Sequence, residues 1–266
     1  MVAPIDLGRP RDLGEILNAC WVLYRRFFGV FATIALAVVV PMDILSLGLI
    51  DGYLTDEFDA EQFFLTSGVA YSIVGPLVTA PLITAGHVHA VQTAGEGGQP
   101  SAGGSLSEAG AVFPKVLGTL ILVILAMIAG FIALIIPGIY VSVRLAVALQ
   151  ATVAEGRRPA EAMSRSWELV KDNWWRVFGI LTVLFLLAYT IAAVLALPLV
   201  VAASAADSGA LLVAAQIAVD TVTLSFLALG STLLFFDLRA RKEGQPAPPE
   251  PQEPQPLDRP EVPPGA

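Results

Sequence analysis

GIYVSVRLAVALQATVAEGRRPAEAMSRSWELVKDNWWR, residues 138–176, decides the fold. Its first part, 138–154, is apolar but short for a membrane span and contains Arg144, whereas a transmembrane helix needs about 20 mostly apolar residues. Its second part holds Arg157, Arg158, Arg165, Lys171 and Arg176. If 138–154 crosses a bilayer, this basic stretch shares a side with the other basic loops of the chain. If it does not, the stretch lies opposite to them. Lys and Arg are retained on the cytoplasmic side, so the choice is decided by counting them.

Outward from this stretch, nearly uncharged segments occupy 27–50, 63–91, 116–136, 177–206 and 210–238. Arg9, Arg11, Arg25 and Arg26 precede the first, Lys115 precedes the third, and Arg239, Arg241, Lys242 and Arg259 follow the last. The loop after the first span instead holds Asp51, Asp56, Glu57, Asp59 and Glu61. Only six spans, with 138–154 as the fourth, put every basic cluster on one side. The chain is expected to be a multi-pass protein of the plasma (inner) membrane with both termini cytoplasmic. Composition agrees: 56% of the 266 residues are hydrophobic and 14% charged, against about 25% charged in soluble domains. The net charge of -8 comes from one loop and the tail rather than from a folded surface, so it does not argue for a basic partner; no nucleic-acid partner is expected. Cys20 is the single cysteine and His87 and His89 are the two histidines. That is too few soft ligands for a Cys/His metal centre, and the pair His87/His89 falls on different helix faces. No metal and no cofactor is expected.

Three parts follow: 1–26, a cytoplasmic segment with an interfacial helix; 27–244, the six-span domain; and 245–266, a disordered tail with nine prolines. The first 26 residues are too mixed for a secretory signal, so the N-terminus is expected to be retained. Pro41, Pro76, Pro81 and Pro198 mark expected kinks. Met163, Trp167, Val170 and Trp174 recur at helical spacing after Pro159, with Glu161, Arg165, Glu168 and Asp172 on another face. With Trp175 they form an expected interfacial anchor against anionic headgroups of the bilayer. Leu13, Ile16, Cys20, Tyr24 and Phe27 repeat the pattern more weakly, and 105–114 is a shorter candidate. Glu15 precedes Trp21, and Glu161 precedes Trp167, by the same six residues. Such matches suggest three parallel units of interfacial helix plus hairpin.

A charge at a helix centre costs about 2.5–3.5 kcal/mol on insertion scales. Arg144 therefore needs a reason, and Asp43 and Asp220 lie at comparable depths in the first and last spans. The three are a candidate intramembrane polar site, with a structural ion pair or snorkelling as the plainer alternative. No phosphate loop, nucleophile elbow or zinc helix is present in the sequence, so an enzyme is not expected.

The stretch IPGIYVSVRLAVALQATVAEGRRPAEAMSRSWELVKDNWWRVFGIL from Ile136, with the later LLFFDLRARKEG, resembles the glycerophosphoryl diester phosphodiesterase membrane-domain family. The residues that carry the likeness are Pro137-Gly138, Arg144, Glu155-Gly156, Ser166-Trp167 and Asp237-Leu238-Arg239 with Arg241; Phe236 stands where a tyrosine is expected. The resemblance implies a membrane fold over about 11–244 but no activity. Hydrolysis in fused members belongs to a separate soluble barrel with metal-binding acids and catalytic histidines, and these 266 residues carry no such barrel. The expected role is a non-enzymatic scaffold or accessory to a protein partner of unknown identity at the cytoplasmic face. The alternative is a transporter or lipid-handling protein working around Arg144, Asp43 and Asp220.

Overall fold

The computed structural model describes residues 6–49, 69–206 and 208–244. The acidic loop after the first span, the start of the second span and the proline-rich tail lie outside the described residues. Those described form an all-helical chain: α1 (Leu13–Arg26), α2 (Phe28–Leu49), α3 (Val69–Gly95), α4 (Ala102–Ala133), α5 (Ile135–Arg144), α6 (Ala148–Ala154), α7 (Pro159–Val170), α8 (Trp174–Ala205) and α9 (Gly209–Glu243).

Among the described residues, four segments are long and apolar enough to cross a membrane: α4, α5 and α6 taken together, α8, and most of α9. A fifth is the bent pair α1–α2, if its two arms, which meet at 86°, form one span. Helix α3 packs beside α2, α4 and α9, but His87, His89, Gln92 and its two prolines dilute its apolar content. The helices run through Pro41, Pro76, Pro81, Pro114 and Pro198 without interruption.

Two elements differ from the sequence expectation. The short candidate at 105–114 is the first half of α4, which continues without a break to Ala133. At 1.5 Å per residue α4 is about 48 Å long, some 18 Å beyond a hydrocarbon core. The helical period simply carries on through Pro114, which leaves no second start. Nor do Pro137 and Gly138 form the turn between the third and fourth spans. The chain reverses at Leu134, whose backbone is extended (φ -178°, ψ 165°), and Pro137-Gly138 sit in the opening turn of α5. Proline is tolerated there because the first amides of a helix have no internal acceptor. Gly138 allows the hairpin to close: a Cβ there would come within 2.4 Å of the Phe131 ring, and one on Gly130 within 3.1 Å of Gly138 Cα.

The main core lies at the end of the bundle where the basic residues gather. Ile16, Cys20 and Leu23 of α1 join Leu169 and Val170 of α7, Val177 of α8 and Leu233 to Phe236 of α9. The amphipathic helices α1 and α7 thus turn much of their apolar stripe into protein. Both start in the same way. Glu15 accepts from the Asp12 amide at 3.0 Å and Glu161 from the Arg158 amide at 3.2 Å, so each glutamate caps its own helix at the third position. Toward the other end, large apolar side chains such as Ile136, Leu186 and Leu197 are exposed, as a lipid-facing surface requires.

Candidate functional site

Asp237 is fully buried in α9, yet it carries a dense polar site among the described residues. A buried carboxylate must find cations and N–H donors, because an unpaired charge out of water costs several kcal/mol. Its Oδ1 accepts from the Arg11 backbone amide at 2.6 Å and from Arg241 Nε, one helical turn on, at 3.0 Å. Its Oδ2 accepts from Arg176 Nη1 at 2.6 Å. The other arms of the two arginines donate to the Arg11 carbonyl, Arg176 at 2.5 Å and Arg241 at 2.8 Å. The N-terminal segment, the start of α8 and the end of α9 therefore meet in one latch. Arg11 is itself buried and donates to the Asp6 carbonyl. Burial pushes its pKa down, with repulsion from Arg9 adding to it and Asp6, Asp237 and Glu15 opposing.

Beside the latch runs a chain of ion pairs. Glu155 binds Arg157 and, at 3.1 Å, Arg165; Arg165 reaches Glu243 at 2.9 Å; Glu243 returns to Arg239 at 3.1 Å. Gly156 makes the turn that lets Glu155 face Arg165, since its φ of +64° is a left-handed conformation that glycine adopts without strain. Lys242 meets Asp172 at 2.7 Å.

Arg144 closes a different gap. It ends α5, and the helix restarts only at Ala148, so backbone groups are freed inside a segment that is half buried. The Ser166 hydroxyl from α7 donates to the Arg144 carbonyl at 2.8 Å and accepts from the Val147 amide at 3.3 Å. The Arg144 guanidinium then donates to the Trp167 carbonyl at 2.8 Å and lies over the rings of Trp167 (4.5 Å) and Tyr140 (5.3 Å). The Ser166-Trp167 pair is thus the patch over a broken helix.

The structure does not join Arg144 to Asp43 or Asp220. Asp43 is buried in α2; Asp220 accepts from Gln216 at 2.8 Å on its own helix. Of the expected anchor, Val170 is in the core, Met163 packs on Val123, Leu145 and Ala148, and Trp167 covers Arg144. Trp174 stacks on Tyr140 and Phe178, and Trp175 is 78% exposed. The two histidines are separate: His87 bonds the Ile83 carbonyl at 2.8 Å and stacks on Phe31, while His89 reaches Ser105 at 3.2 Å. Among the described residues no three His, Cys, Asp or Glu side chains are grouped to hold a metal.

Sequence reasoning missed Arg11 and Arg176 as partners of Asp237. The signal was present, since an acid at the end of an apolar run needs bases arriving at the same depth. It also missed a half-open cleft of about 690 Å³ between α3, α4, α5, α8 and α9, lined mainly by apolar side chains and with Gln150 of α6 in its wall. Cooperating small polar groups such as Gln150 and Ser231 leave no pattern along a chain.

Residues 110–245 match the family model described as the membrane domain of glycerophosphoryl diester phosphodiesterase. No curated protein and no solved structure matches the chain.

Proposed function

The chain belongs to the glycerophosphoryl diester phosphodiesterase membrane-domain family, and from that premise we propose that it is a six-span inner-membrane protein that scaffolds or assists a protein partner at the cytoplasmic face, without catalysis of its own. In this reading α2 and α3 complete the spans, α1 lies in the interface, both termini are cytoplasmic, and the basic end faces the cytoplasm. The observation that carries it is the concentration of fixed charge at that end. The latch and the ion-pair chain hold α1, α7, α8 and α9 together, and Arg25 lies 5.6 Å from the centre of the exposed Trp21 ring. A rigid layer that presents aromatic and basic groups suits anionic headgroups and a docked partner.

The alternative, a transporter or lipid-handling protein, draws its support from the apolar cleft rather than from Arg144, Asp43 and Asp220. A polar solute route would need a water-lined path, whereas the cleft is largely hydrocarbon-like.

Topology and role are tested together. Single cysteines at Ser101 and Ser208, in a Cys20→Ser background, are probed with an impermeant maleimide in spheroplasts. Labelling of Ser208→Cys before lysis and of Ser101→Cys only after it supports the orientation; the reverse overturns it. Mass spectrometry of the protein in its native lipid patch then reads the role. A stoichiometric protein partner lost on Trp21→Ala/Arg25→Ala supports the scaffold, and its absence overturns it.

A further inference from the structure

The cleft beside α8 has a mouth and a floor of different character. Phe131, Ile139, Phe178 and Phe185 stand at its edge and are each more than a third exposed. They belong to the helices with the most lipid-like surface, so the mouth opens toward hydrocarbon. The floor holds buried Ile83, Val143, Leu184 and Ala228, and with them Gln150, which is 4% exposed. A volume of about 690 Å³ falls inside the range of about 300–1,000 Å³ usual for small-molecule sites.

Gln150 makes the floor selective. Its Nε2 donates to Ser231 Oγ at 2.9 Å, and Ser231 passes its own proton to the Ala228 carbonyl at 3.2 Å. In this arrangement Ser231 accepts from the Gln150 amide nitrogen, which turns the amide oxygen away from Ser231. Gln150 Oε1 is then a buried acceptor with no donor among the described residues. Leaving such a group unmet is unfavourable, and an O–H or N–H donor that reached it from the cleft would satisfy it. None of the cleft-lining residues is charged. An anionic headgroup would therefore lose its water without gaining a cation.

We infer that the cleft binds a neutral, hydroxyl-bearing lipid, of the diacylglycerol or long-chain alcohol type, with its hydrocarbon between α4, α5 and α8 and its hydroxyl donating to Gln150 Oε1. This deepens the lipid-handling alternative and depends on the membrane fold alone, so it can fail or hold whatever the partner and topology experiments give.

The full-length protein in nanodiscs of phosphatidylcholine is titrated with fluorescent dioleoylglycerol and, in parallel, with its O-methyl ether, which keeps the chains and removes the proton. Saturable binding about tenfold tighter for the hydroxyl form is expected, the worth of one hydrogen bond. In Gln150→Leu the preference disappears, and in Ala146→Phe, which fills the cleft, saturable binding of both is lost. A thermal midpoint near wild type shows that each variant is folded. The comparison of the two lipids in the wild-type protein stands even if a variant does not fold. Equal affinity for the two lipids, tighter binding of dioleoylphosphatidylglycerol, or no saturable binding would each overturn the inference.

Discussion

Asp237 and Arg144 are both buried charges near the basic end, and they are handled in opposite ways. Asp237 takes three donors from residues that belong to three separate segments. Arg144 takes one carbonyl and two aromatic faces, all from α5 and α7. The first charge is a joint between distant parts of the chain; the second patches a local break. Deleting the joint leaves two guanidinium groups facing each other with no anion between them. Deleting the patch leaves no opposite charge behind, only a carbonyl and two rings. Burial alone therefore does not rank the two residues; what each leaves unpaired does.

The largest effect should follow Asp237→Ala, which breaks a buried ion pair and is expected to cost about 3–5 kcal/mol. Unfolding of the purified protein in detergent measures the loss. Cys20 gives a second, local readout. It is buried in α1, and burial pushes its thiol up to about 12, so it should resist alkylation at mildly alkaline pH, where an exposed thiol with a pKa of about 8.5 reacts readily. Asp237→Ala should speed Cys20 alkylation, because the Arg11 segment that anchors α1 is released. A variant as stable and as slow to alkylate as wild type would break the comparison at its stronger side.

Next comes Ser166→Ala, which strips the Val147 amide of its acceptor and the Arg144 carbonyl of its donor. A buried unsatisfied backbone group is worth about 1–3 kcal/mol, and amide exchange at 145–147 should rise while Cys20 stays protected. Arg144→Leu should cost less, on the order of 1 kcal/mol, because the lost carbonyl bond and cation–π contact are offset by no longer burying a charge. Its clearest signal is tryptophan emission, since Trp167 loses the cation over its face. A larger penalty for Arg144→Leu than for Asp237→Ala would reverse the ranking.

These residues also show what can be read from a chain. The apolar runs, the helical period of α1 and α7 and the match of Glu15 with Glu161 were all legible, because each depends on neighbours a few positions apart. The motif residues were legible as a set but not in their roles. Nothing local says that Ser166 bridges a break made twenty residues earlier, or that Asp237 pairs with Arg176 and holds the backbone of Arg11. Apolar stripes were equally silent about their partner. The same spacing serves lipid and protein, and Val170 went to protein while Trp175 stayed outside. The cleft was least legible, because it is a space between five helices that no single one encodes.

The smallest expected effect separates surface pairs from the latch. The Asp172 carboxyl is held below its usual range by the hydrogen bond from Lys242 and then by that residue's charge. Glu15 is lowered chiefly by the Asp12 amide and then by Arg9. A folded-state value below the unfolded one stabilises the fold at pH above the unfolded value, and that contribution disappears as pH falls through the folded value. Between pH 7 and about 5 these two groups should therefore leave the thermal midpoint unchanged, and it should begin to fall near pH 4, the ordinary carboxylate range. Lys242→Met should remove the Asp172 part of that acid dependence and leave the Glu15 part in place. Because both carboxylates face water, ionic strength of about 1 M, where the Debye length is about 3 Å, should flatten the difference between Lys242→Met and wild type. The penalty of Asp237→Ala should persist under the same salt, since ions cannot enter the latch to screen it. If salt erased that penalty too, Asp237 would belong with the surface pairs and not with the joint.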